Sequence, residues 1–101
     1  MYYTYILLSL KSHIFYYGYT SDLRKRFTEH NNNSLVTATK PHIPWRLVWY
    51  CAFETEKQAK AFEQYLKSGS GKAFSYKRLV NEALAKDVSF RIKGIPKPFI
   101  I

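Results

Sequence analysis

The sequence predicts an α/β domain with a small three-stranded, largely antiparallel sheet and flanking helices. Three observations lead to this prediction. Two short segments near the N-terminus are rich in tyrosine and branched residues, a third apolar segment covers residues 45–53, and stretches with helical periodicity follow the second and third segments. The order strand, strand, helix, strand, helix, helix gives one sheet with helices packed on it.

Length and charge limit the kind of protein this can be. The chain has 101 residues, enough for one domain with a modest core. Its 16 Lys and Arg residues against 7 Asp and Glu residues give a net charge of +9. This excess favours a nucleic acid as partner, the alternative being a soluble protein that is merely basic.

Compartment and membrane contact are addressed by the cysteine count and the N-terminal segment. The only cysteine, Cys51, excludes an intrachain disulfide and is typical of a reducing compartment, so we expect a cytoplasmic protein. The apolar run at residues 2–10 is too short to span a membrane, so no membrane partner is expected. One cysteine and three scattered histidines do not form a zinc site.

The strands are predicted from composition and alternation. Residues 2–10 (YYTYILLSL) and 14–18 (IFYYG) predict two antiparallel strands joined by a polar connection. In the first strand, alternation places Tyr3 and Tyr5 on the same face. Residues 45–53 (WRLVWYCAF) predict a third strand, whose nearly continuous apolar run is typical of a strand covered on both faces.

The first helix carries polar side chains on its packing side. It is predicted to begin after a cap at Thr20 or Ser21, with Leu23 and Phe27 as its inward stripe. Two titratable residues fall on the same side as that stripe: Arg26 and His30. Glu29 is predicted to point elsewhere. An arginine and a histidine on a packing side are costly unless something anionic meets them.

A long loop at residues 31–44 separates this helix from the third strand. Loops of this length in a small domain are often functional. Its Thr37, Thr39 and Lys40 are suited to contacting phosphate, and a surface loop without function is the alternative.

The second helix opens on a capping box of Thr55 and Gln58 and is predicted to end at Ser68 and Gly69. Its inward residues share an apolar character: Ala59, Phe62 and Leu66. Glu63 projects into this stripe. Two ion pairs are open to its carboxylate, one with Lys67 and one with Arg26.

The third helix is predicted to run from Lys72 to about Ala85. Its predicted inward residues are Tyr76, Leu79, Val80, Ala83 and Leu84. Residues 69–72 (GSGK) are predicted to form a turn rather than a phosphate-binding loop, because they follow a helix and Ala73 stands where that loop needs Ser or Thr. The domain then spans residues 1–85, and 86–101 form a C-terminal tail.

Five separated elements resemble the GIY-YIG nuclease family, in its small stand-alone, single-domain bacterial branch. Tyr3-Thr4-Tyr5 and Tyr16-Tyr17-Gly18 resemble the two halves of the family motif. Arg26 and His30 match the helix that follows it, and Glu63 matches the metal-binding glutamate. Each element is weak alone, but all five occur in order at the expected spacings.

The resemblance covers roughly residues 2–80 and departs from the family in three places. The first motif reads YTY rather than GIY and the second reads YYG, with the tyrosines kept. Larger members carry an asparagine after the glutamate. The nearest candidate here is Asn81, on a predicted helix, and that role is not carried over to it. A non-catalytic nucleic-acid-binding module with a degenerate site is therefore the alternative to an active enzyme.

The resemblance implies a metal-dependent endonuclease that hydrolyses DNA phosphodiester bonds, as in DNA repair or recombination. Glu63 would hold Mg²⁺, with Mn²⁺ as a possible substitute and no small-molecule cofactor. Arg26 would clamp the phosphate, and Tyr5 would be the general base. Tyr16 would position Tyr5 or the water, and His30 would relay the proton or contact phosphate.

Basic residues beyond this set are expected to contact the DNA backbone. They are Arg24, Lys25, Lys40, Lys67 and Lys72. A solvated basic face is the alternative interpretation. The preferred DNA structure and the oligomeric state do not follow from the sequence.

Overall fold

The computed structural model describes residues 1–32 and 36–83. Its elements follow the predicted order, with a short 3-10 helix added before the third strand. They are β1 (Tyr2–Ser9), β2 (Phe15–Thr20), α1 (Leu23–His30), the 3-10 helix (Lys40–His42), β3 (Trp45–Phe53), α2 (Glu56–Lys67) and α3 (Gly69–Arg78). The predicted α/β fold is confirmed. The tail predicted for residues 86–101 lies outside the described residues.

β1 is the central strand of an antiparallel sheet with the order β2-β1-β3. Every side chain from Thr4 to Ser9 is buried. β3 is an edge strand, and of its nine residues, all described, only Trp45 is buried. The prediction that the third strand is covered on both faces is therefore wrong. β1 receives that cover instead, because strands flank it on both sides and helices pack on both of its faces.

The two faces of the sheet carry separate apolar clusters, because successive side chains of a strand point to opposite sides. The buried members of the first cluster are Ile6, Tyr17, Leu66 and Val80. Those of the second are Tyr5, Leu7 and Trp45. Leu23 and Phe27 of α1 pack on the second cluster, as predicted. Each large apolar side chain buried in this way stabilises the fold by roughly 1.5–3 kcal/mol.

α1 begins after Asp22 rather than after Thr20 or Ser21, so the predicted cap is wrong by one or two residues. The Oδ1 atom of Asp22 accepts a hydrogen bond from the backbone N–H of Lys25 at 3.1 Å. Thr20 instead accepts a bond from the N–H of Asp22, also at 3.1 Å. The carboxylate is well placed because it satisfies an unpaired N–H group and lies at the positive end of the helix dipole.

α2 begins at the predicted capping box. The hydroxyl of Thr55 accepts from the N–H of Gln58 at 3.2 Å, and the side-chain oxygen of Gln58 accepts from the N–H of Thr55 at 3.3 Å. Ala59 and Leu66 are fully buried, as the predicted stripe requires. This helix therefore keeps its predicted orientation, which fixes the direction of Glu63.

α3 begins at Gly69, three residues earlier than predicted. The hydroxyl of Ser68 accepts from the N–H of Gly71 at 3.1 Å and so caps the helix. A Cβ atom at Gly71 would overlap the backbone carbonyl of Tyr65. The glycine is therefore needed for α3 to approach α2 closely, a reason that the turn interpretation of this segment missed.

The inward residues predicted for the third helix are only partly correct. Val80 and Ala83 are buried, but Tyr76 is 41% exposed. α3 ends at Arg78, so the helical periodicity does not continue from Tyr76 to Val80. Ser75 is buried on this helix instead. The predicted end of the helix lies outside the part of the chain that the structure describes.

Candidate active site

Tyr5 lies near the middle of the central strand, opposite Gly18 of β2 and Tyr50 of β3. Its side chain is only 1% exposed. A Cβ atom at position 18 would overlap the Tyr5 hydroxyl. Only a glycine therefore leaves room for the phenol ring in this position. The sequence predicts Gly18 only as a strand end and as part of the motif, and does not reveal this steric role.

His30, at the end of α1, is fully buried and bonds to Tyr5. Its Nε2 atom lies 2.7 Å from the Tyr5 hydroxyl, and its Nδ1 atom lies 3.0 Å from the Thr39 hydroxyl. Thr39 is also fully buried. The prediction that Thr39 contacts phosphate is therefore wrong, and its hydroxyl instead orients the imidazole ring.

The hydrogen bonds around Thr39 favour one tautomer of His30. The Thr39 hydroxyl donates its single hydrogen to the backbone carbonyl of Val36 at 3.4 Å, so it accepts from the Nδ1–H of His30. Nε2 then carries the lone pair and accepts the O–H of Tyr5. Of the two roles implied for His30, relaying a proton suits a fully buried ring, whereas direct contact with phosphate does not.

Both members of this pair are neutral at pH 7. Burial, and after it the positive charge of Arg26, lowers the pKa of His30 from 6.5 to about 4, with Glu29 opposing the shift. Burial, and after it Tyr16, raises the pKa of Tyr5 above its ordinary value, with Arg26 opposing the shift. Tyr5 is therefore not a phenolate at rest, and Nε2 of His30 is the atom placed to accept its proton.

Arg26 projects from α1 with a side chain that is 37% exposed. Its Nη1 atom donates to Oε1 of Glu29 at 3.1 Å. The prediction that Glu29 points away from the side of the helix that carries Arg26 is therefore wrong. Residues three apart are neighbours on a helix surface, so the two side chains can pair. A surface pair of this kind contributes less than about 1 kcal/mol, so a phosphate can replace the carboxylate.

Tyr16 of β2 packs against the Tyr5–His30 pair. Its ring centroid lies 4.9 Å from that of His30 and 6.5 Å from that of Tyr5. On the other side it meets Trp45 edge-on at 6.1 Å. These contacts hold both partners of the hydrogen bond in place.

Glu63 projects from α2 with a side chain that is 13% exposed. Its Oε2 atom lies 3.3 Å from Nζ of Lys67, so of the two ion pairs left open by the sequence the structure forms this one. Glu56 lines the same pocket as Glu63. Glu56 was not among the residues predicted for the site, although a spacing of seven residues places both carboxylates on one face of the helix.

Four of the predicted catalytic side chains line one pocket of about 410 Å³: Tyr5, Tyr16, Arg26 and Glu63. His30 lies behind this pocket, bonded to Tyr5. Gly18 and Ser21 contribute to the wall on the β2 side. Asn81 is exposed and is not among the residues that line the pocket.

The pocket fits a hard divalent cation that binds with few protein ligands. Mg²⁺ is commonly held by one or two carboxylates together with water and substrate phosphates. Glu63 offers such an oxygen, and Glu56 lies in the same wall. Within residues 1–32 and 36–83, no group of three or more His, Cys, Asp or Glu residues forms a complete protein cage. The donor set therefore suits Mg²⁺ or Mn²⁺ bound together with a phosphate.

The five basic residues predicted to contact nucleic acid are all exposed: Arg24, Lys25, Lys40, Lys67 and Lys72. Arg24 lines a groove next to the active pocket, and Lys67 pairs with Glu63. The other three line neither cavity, and their contact with DNA stays a prediction. None of the helices in the described part of the chain is long and apolar enough to cross a membrane.

A small antiparallel sheet with helices on both faces, and a pocket of two tyrosines, an arginine and a glutamate, define a class of compact α/β catalytic domains. Comparison with family models identifies which one. The model of the GIY-YIG catalytic domain matches residues 1–77. The chain therefore belongs to the GIY-YIG family, a family of nucleases, and the predicted resemblance is confirmed.

Curated relatives of the chain are bacterial. It is 37% identical over 67 residues to the UPF0213 protein CPE1444 of Clostridium perfringens, covering 66% of this chain and 71% of the relative. It is 34% identical over 61 residues to the UPF0213 protein YazA of Bacillus subtilis, covering 60% and 62%. The chain thus spans less than two thirds of the latter protein.

A third relative aligns over more of the chain. The UPF0213 protein of Bacillus licheniformis is 29% identical over 85 residues, covering 84% of this chain and 86% of the relative. These names state neither an activity nor a substrate. No solved structure matches the chain significantly.

Proposed function

We propose that this protein is a metal-dependent DNA endonuclease that hydrolyses phosphodiester bonds in the pocket of Tyr5, Tyr16, Arg26 and Glu63. The observation that carries the proposal is the 2.7 Å hydrogen bond between the Tyr5 hydroxyl and the neutral, buried His30. The pocket opens to solvent, and this hydrogen bond provides it with a proton acceptor at neutral pH. Family membership supports DNA as the substrate, and the single cysteine supports a cytoplasmic location.

The Tyr5–His30 pair takes the proton of the attacking water. As the water oxygen forms its bond to phosphorus, it gives a proton to the Tyr5 oxygen, and Tyr5 passes its own proton to Nε2 of His30. The bond from phosphorus to the leaving 3′ oxygen breaks, and that oxygen is protonated by solvent. The two transfers are coupled because neither a Tyr5 phenolate nor a charged His30 is stable in the buried resting site.

Arg26 supplies positive charge to the phosphate. Its partly exposed guanidinium exchanges Glu29 for the non-bridging oxygens, which its planar fork matches. The same charge opposes the raised pKa of Tyr5 and so stabilises the negative charge that develops on the phenol oxygen. Tyr16 holds the Tyr5 and His30 rings in position through its ring contacts.

Glu63 is the proposed protein ligand for Mg²⁺, with Mn²⁺ as a substitute and no small-molecule cofactor. When bound, the ion would polarise the scissile phosphate and stabilise charge on the leaving oxygen. Binding requires Glu63 to give up its ion pair with Lys67. An i,i+4 pair on a helix contributes only about 0.3–0.5 kcal/mol, so the exchange is inexpensive. Lys67 then becomes available to a backbone phosphate.

A non-catalytic nucleic-acid-binding module is the second candidate. The observation that favours it is that two charged groups of the pocket are already paired, Arg26 with Glu29 and Glu63 with Lys67. A net charge of +9 gives salt-dependent affinity for DNA without any cleavage.

A cleavage assay distinguishes the two candidates. The purified chain is incubated with supercoiled, branched and single-stranded DNA in the presence of Mg²⁺, Mn²⁺ or EDTA. We expect metal-dependent cleavage that EDTA abolishes. We expect Glu63→Gln to lower the rate at least about a hundredfold, because metal coordination supplies several kcal/mol of transition-state stabilisation.

Glu54→Gln is the matched control, since Glu54 is an exposed carboxylate just before α2 that lines neither cavity. This variant should cleave like the wild type. The nuclease proposal fails if no substrate is cut, or if cleavage survives Glu63→Gln. Salt-dependent DNA binding without cleavage by the wild type would establish the binding module instead.

A further inference from the structure

A second cavity lies beside the active pocket, between α1 and the edge strand β3. Its volume is about 550 Å³, within the range of about 300–1,000 Å³ typical of small-molecule sites. Its walls are mainly apolar and aromatic, formed by Tyr3, Leu23, Phe27, Leu47 and Tyr50. We call this cavity the aromatic groove. The catalytic steps described above do not use it.

The aromatic groove adjoins the active pocket at the start of α1. Ser21, in the connection before that helix, lines both cavities. Arg24 lines the groove, and Arg26 lines the pocket. A DNA strand with a phosphate at Arg26 therefore has its neighbouring nucleotide next to the groove, with a second arginine available to the neighbouring phosphate.

Two tyrosines give the groove the character of a stacking platform. Tyr50 is 55% exposed, although it belongs to a strand whose other aromatic side chains are largely covered. The rings of Tyr3 and Tyr50 meet edge-on, with centroids 6.4 Å apart and planes inclined by 61°. The two rings are therefore not stacked on each other, and the exposed part of the Tyr50 ring can accept a planar ligand.

The charge at the groove favours an anionic ligand with an apolar, planar part. Arg24 is exposed at its wall, and Lys25 follows on the same turn. Asp22 is the acidic residue among those that line the groove, but its Oδ1 atom is engaged with the backbone N–H of Lys25 as the helix cap. A nucleotide combines both requirements, because its base is planar and its phosphate is negatively charged.

We propose that the aromatic groove binds one unpaired nucleobase, that of the nucleotide next to the scissile phosphate. This inference rests on the proposed nuclease function and adds a binding subsite to it. The base stacks on Tyr50 while Arg24 contacts the adjoining phosphate. A base inside a duplex has both faces stacked on its neighbours, so it must be unpaired or flipped out before it enters.

The test measures binding rather than cleavage. Full-length protein carrying Glu63→Gln is titrated, without metal, with a single-stranded oligonucleotide and with a fully paired duplex of the same sequence. Tyr50→Ala should weaken binding of the single strand about tenfold, since one base–aromatic stack is lost, and should leave duplex affinity unchanged. A 2-aminopurine base in the single strand should lose fluorescence on binding, and Tyr50→Ala should prevent this loss.

Two further variants control the test. Tyr65→Ala removes another exposed tyrosine, 41% exposed on α2 and outside both cavities, and should change neither affinity. Tyr50→Phe keeps the ring and should retain single-strand binding and fluorescence quenching. If Tyr50→Ala is poorly folded by circular dichroism, Tyr50→Leu replaces it with a side chain that fills the strand but cannot stack.

Three results would overturn the inference. Equal losses for single strand and duplex would make Tyr50 a general contact. If Tyr50→Ala weakens binding of neither the single strand nor the duplex, the groove does not bind a base. A dimeric wild type that Tyr50→Ala converts to a lighter, more slowly sedimenting monomer, with no effect on DNA binding, would assign the groove to a second copy of the chain. Because no metal is present, these outcomes are independent of whether the wild type cleaves DNA.

Discussion

Tyr5 and Tyr17 are both buried tyrosines on neighbouring antiparallel strands, but they lie on opposite faces of the sheet. Burial raises the pKa of each above its ordinary value. Tyr5 bonds to His30 at 2.7 Å, whereas the Tyr17 hydroxyl has no hydrogen bond of good geometry to any described residue. Ser75 lies near enough to oppose the pKa shift of Tyr17, yet its own hydroxyl is also unsatisfied.

This difference teaches that burial alone does not make a tyrosine reactive. A buried phenol holds its proton more tightly than one in water, so it becomes useful for proton transfer only when an acceptor is built beside it. On the α1 face that acceptor is His30, fixed by Thr39. On the other face the environment is an apolar core, and Tyr17 is a packing residue.

The largest difference between the two tyrosines is expected in cleavage. Tyr5→Phe should lower the single-turnover rate by about 10²–10⁴-fold, the usual contribution of a positioned acid–base group. Tyr17→Phe should cleave within about twofold of the wild type, because its hydroxyl contacts nothing in the active pocket. Similar rates for the two variants would remove Tyr5 from the chemistry.

The dependence of stability on pH should reveal the lowered pKa of His30, the second partner of the pair. His30 has a folded pKa of about 4 against 6.5 when unfolded, so the unfolded chain binds more protons between these values. The free energy of unfolding should therefore fall as pH drops through this window, by about 3 kcal/mol between pH 7 and pH 4. Urea denaturation at a series of pH values measures this slope. His30→Gln should flatten it, and an unchanged slope in that variant would assign the effect to other groups.

Gly18 supports Tyr5 sterically, and a methyl group should expose that role. Gly18→Ala places a Cβ atom on the Tyr5 hydroxyl, so we expect a loss of about 1–3 kcal/mol in unfolding free energy, typical of overpacking, together with slower cleavage. Gly69→Ala is the control, since no atom lies within 4 Å of a Cβ there. Thermal denaturation of both variants checks the contrast. If Gly18→Ala is as stable as the control, the close approach to Tyr5 is not a constraint.

The smallest effect is expected for the free energy of unfolding when Tyr17 is replaced by phenylalanine. Replacing its unsatisfied hydroxyl by hydrogen in Tyr17→Phe should leave the free energy of unfolding unchanged or raise it by up to about 1 kcal/mol. Tyr5→Phe should instead lower it, because Nε2 of His30 loses its donor in a buried site. Equilibrium unfolding in urea compares the two. A clear loss for Tyr17→Phe would indicate a hydrogen bond at this position in solution.

Local patterns predicted the elements, because the determinants of each element are adjacent in the sequence. The tyrosine-rich strands and the Thr55–Gln58 capping box are of this kind. Helical phase also placed Arg26 and Glu63 toward the sheet, and both line the pocket. The edge position of β3 was missed, since it depends on which strands pair, and a single apolar segment does not encode that.

The contacts inside the site depend on long-range packing. The bond between Tyr5 and His30 joins residues 25 apart, and the role of Thr39 follows only from the path of the loop before β3. The overlap between Gly18 and Tyr5 depends on strand register, which no local property of either residue reveals. Sequence alone could therefore name these residues but not their partners.

The central claim is that Tyr5 donates its proton to a neutral His30 held with hydrogen on Nδ1. ¹⁵N NMR of the imidazole, followed from pH 8 to the lowest pH at which the protein stays folded, measures this directly. We predict an Nδ1–H tautomer at neutral pH that does not gain a proton until about pH 4, and that changes its Nε2 shift in Tyr5→Phe. An Nε2–H tautomer, or titration near the ordinary pKa of 6.5, would contradict the account.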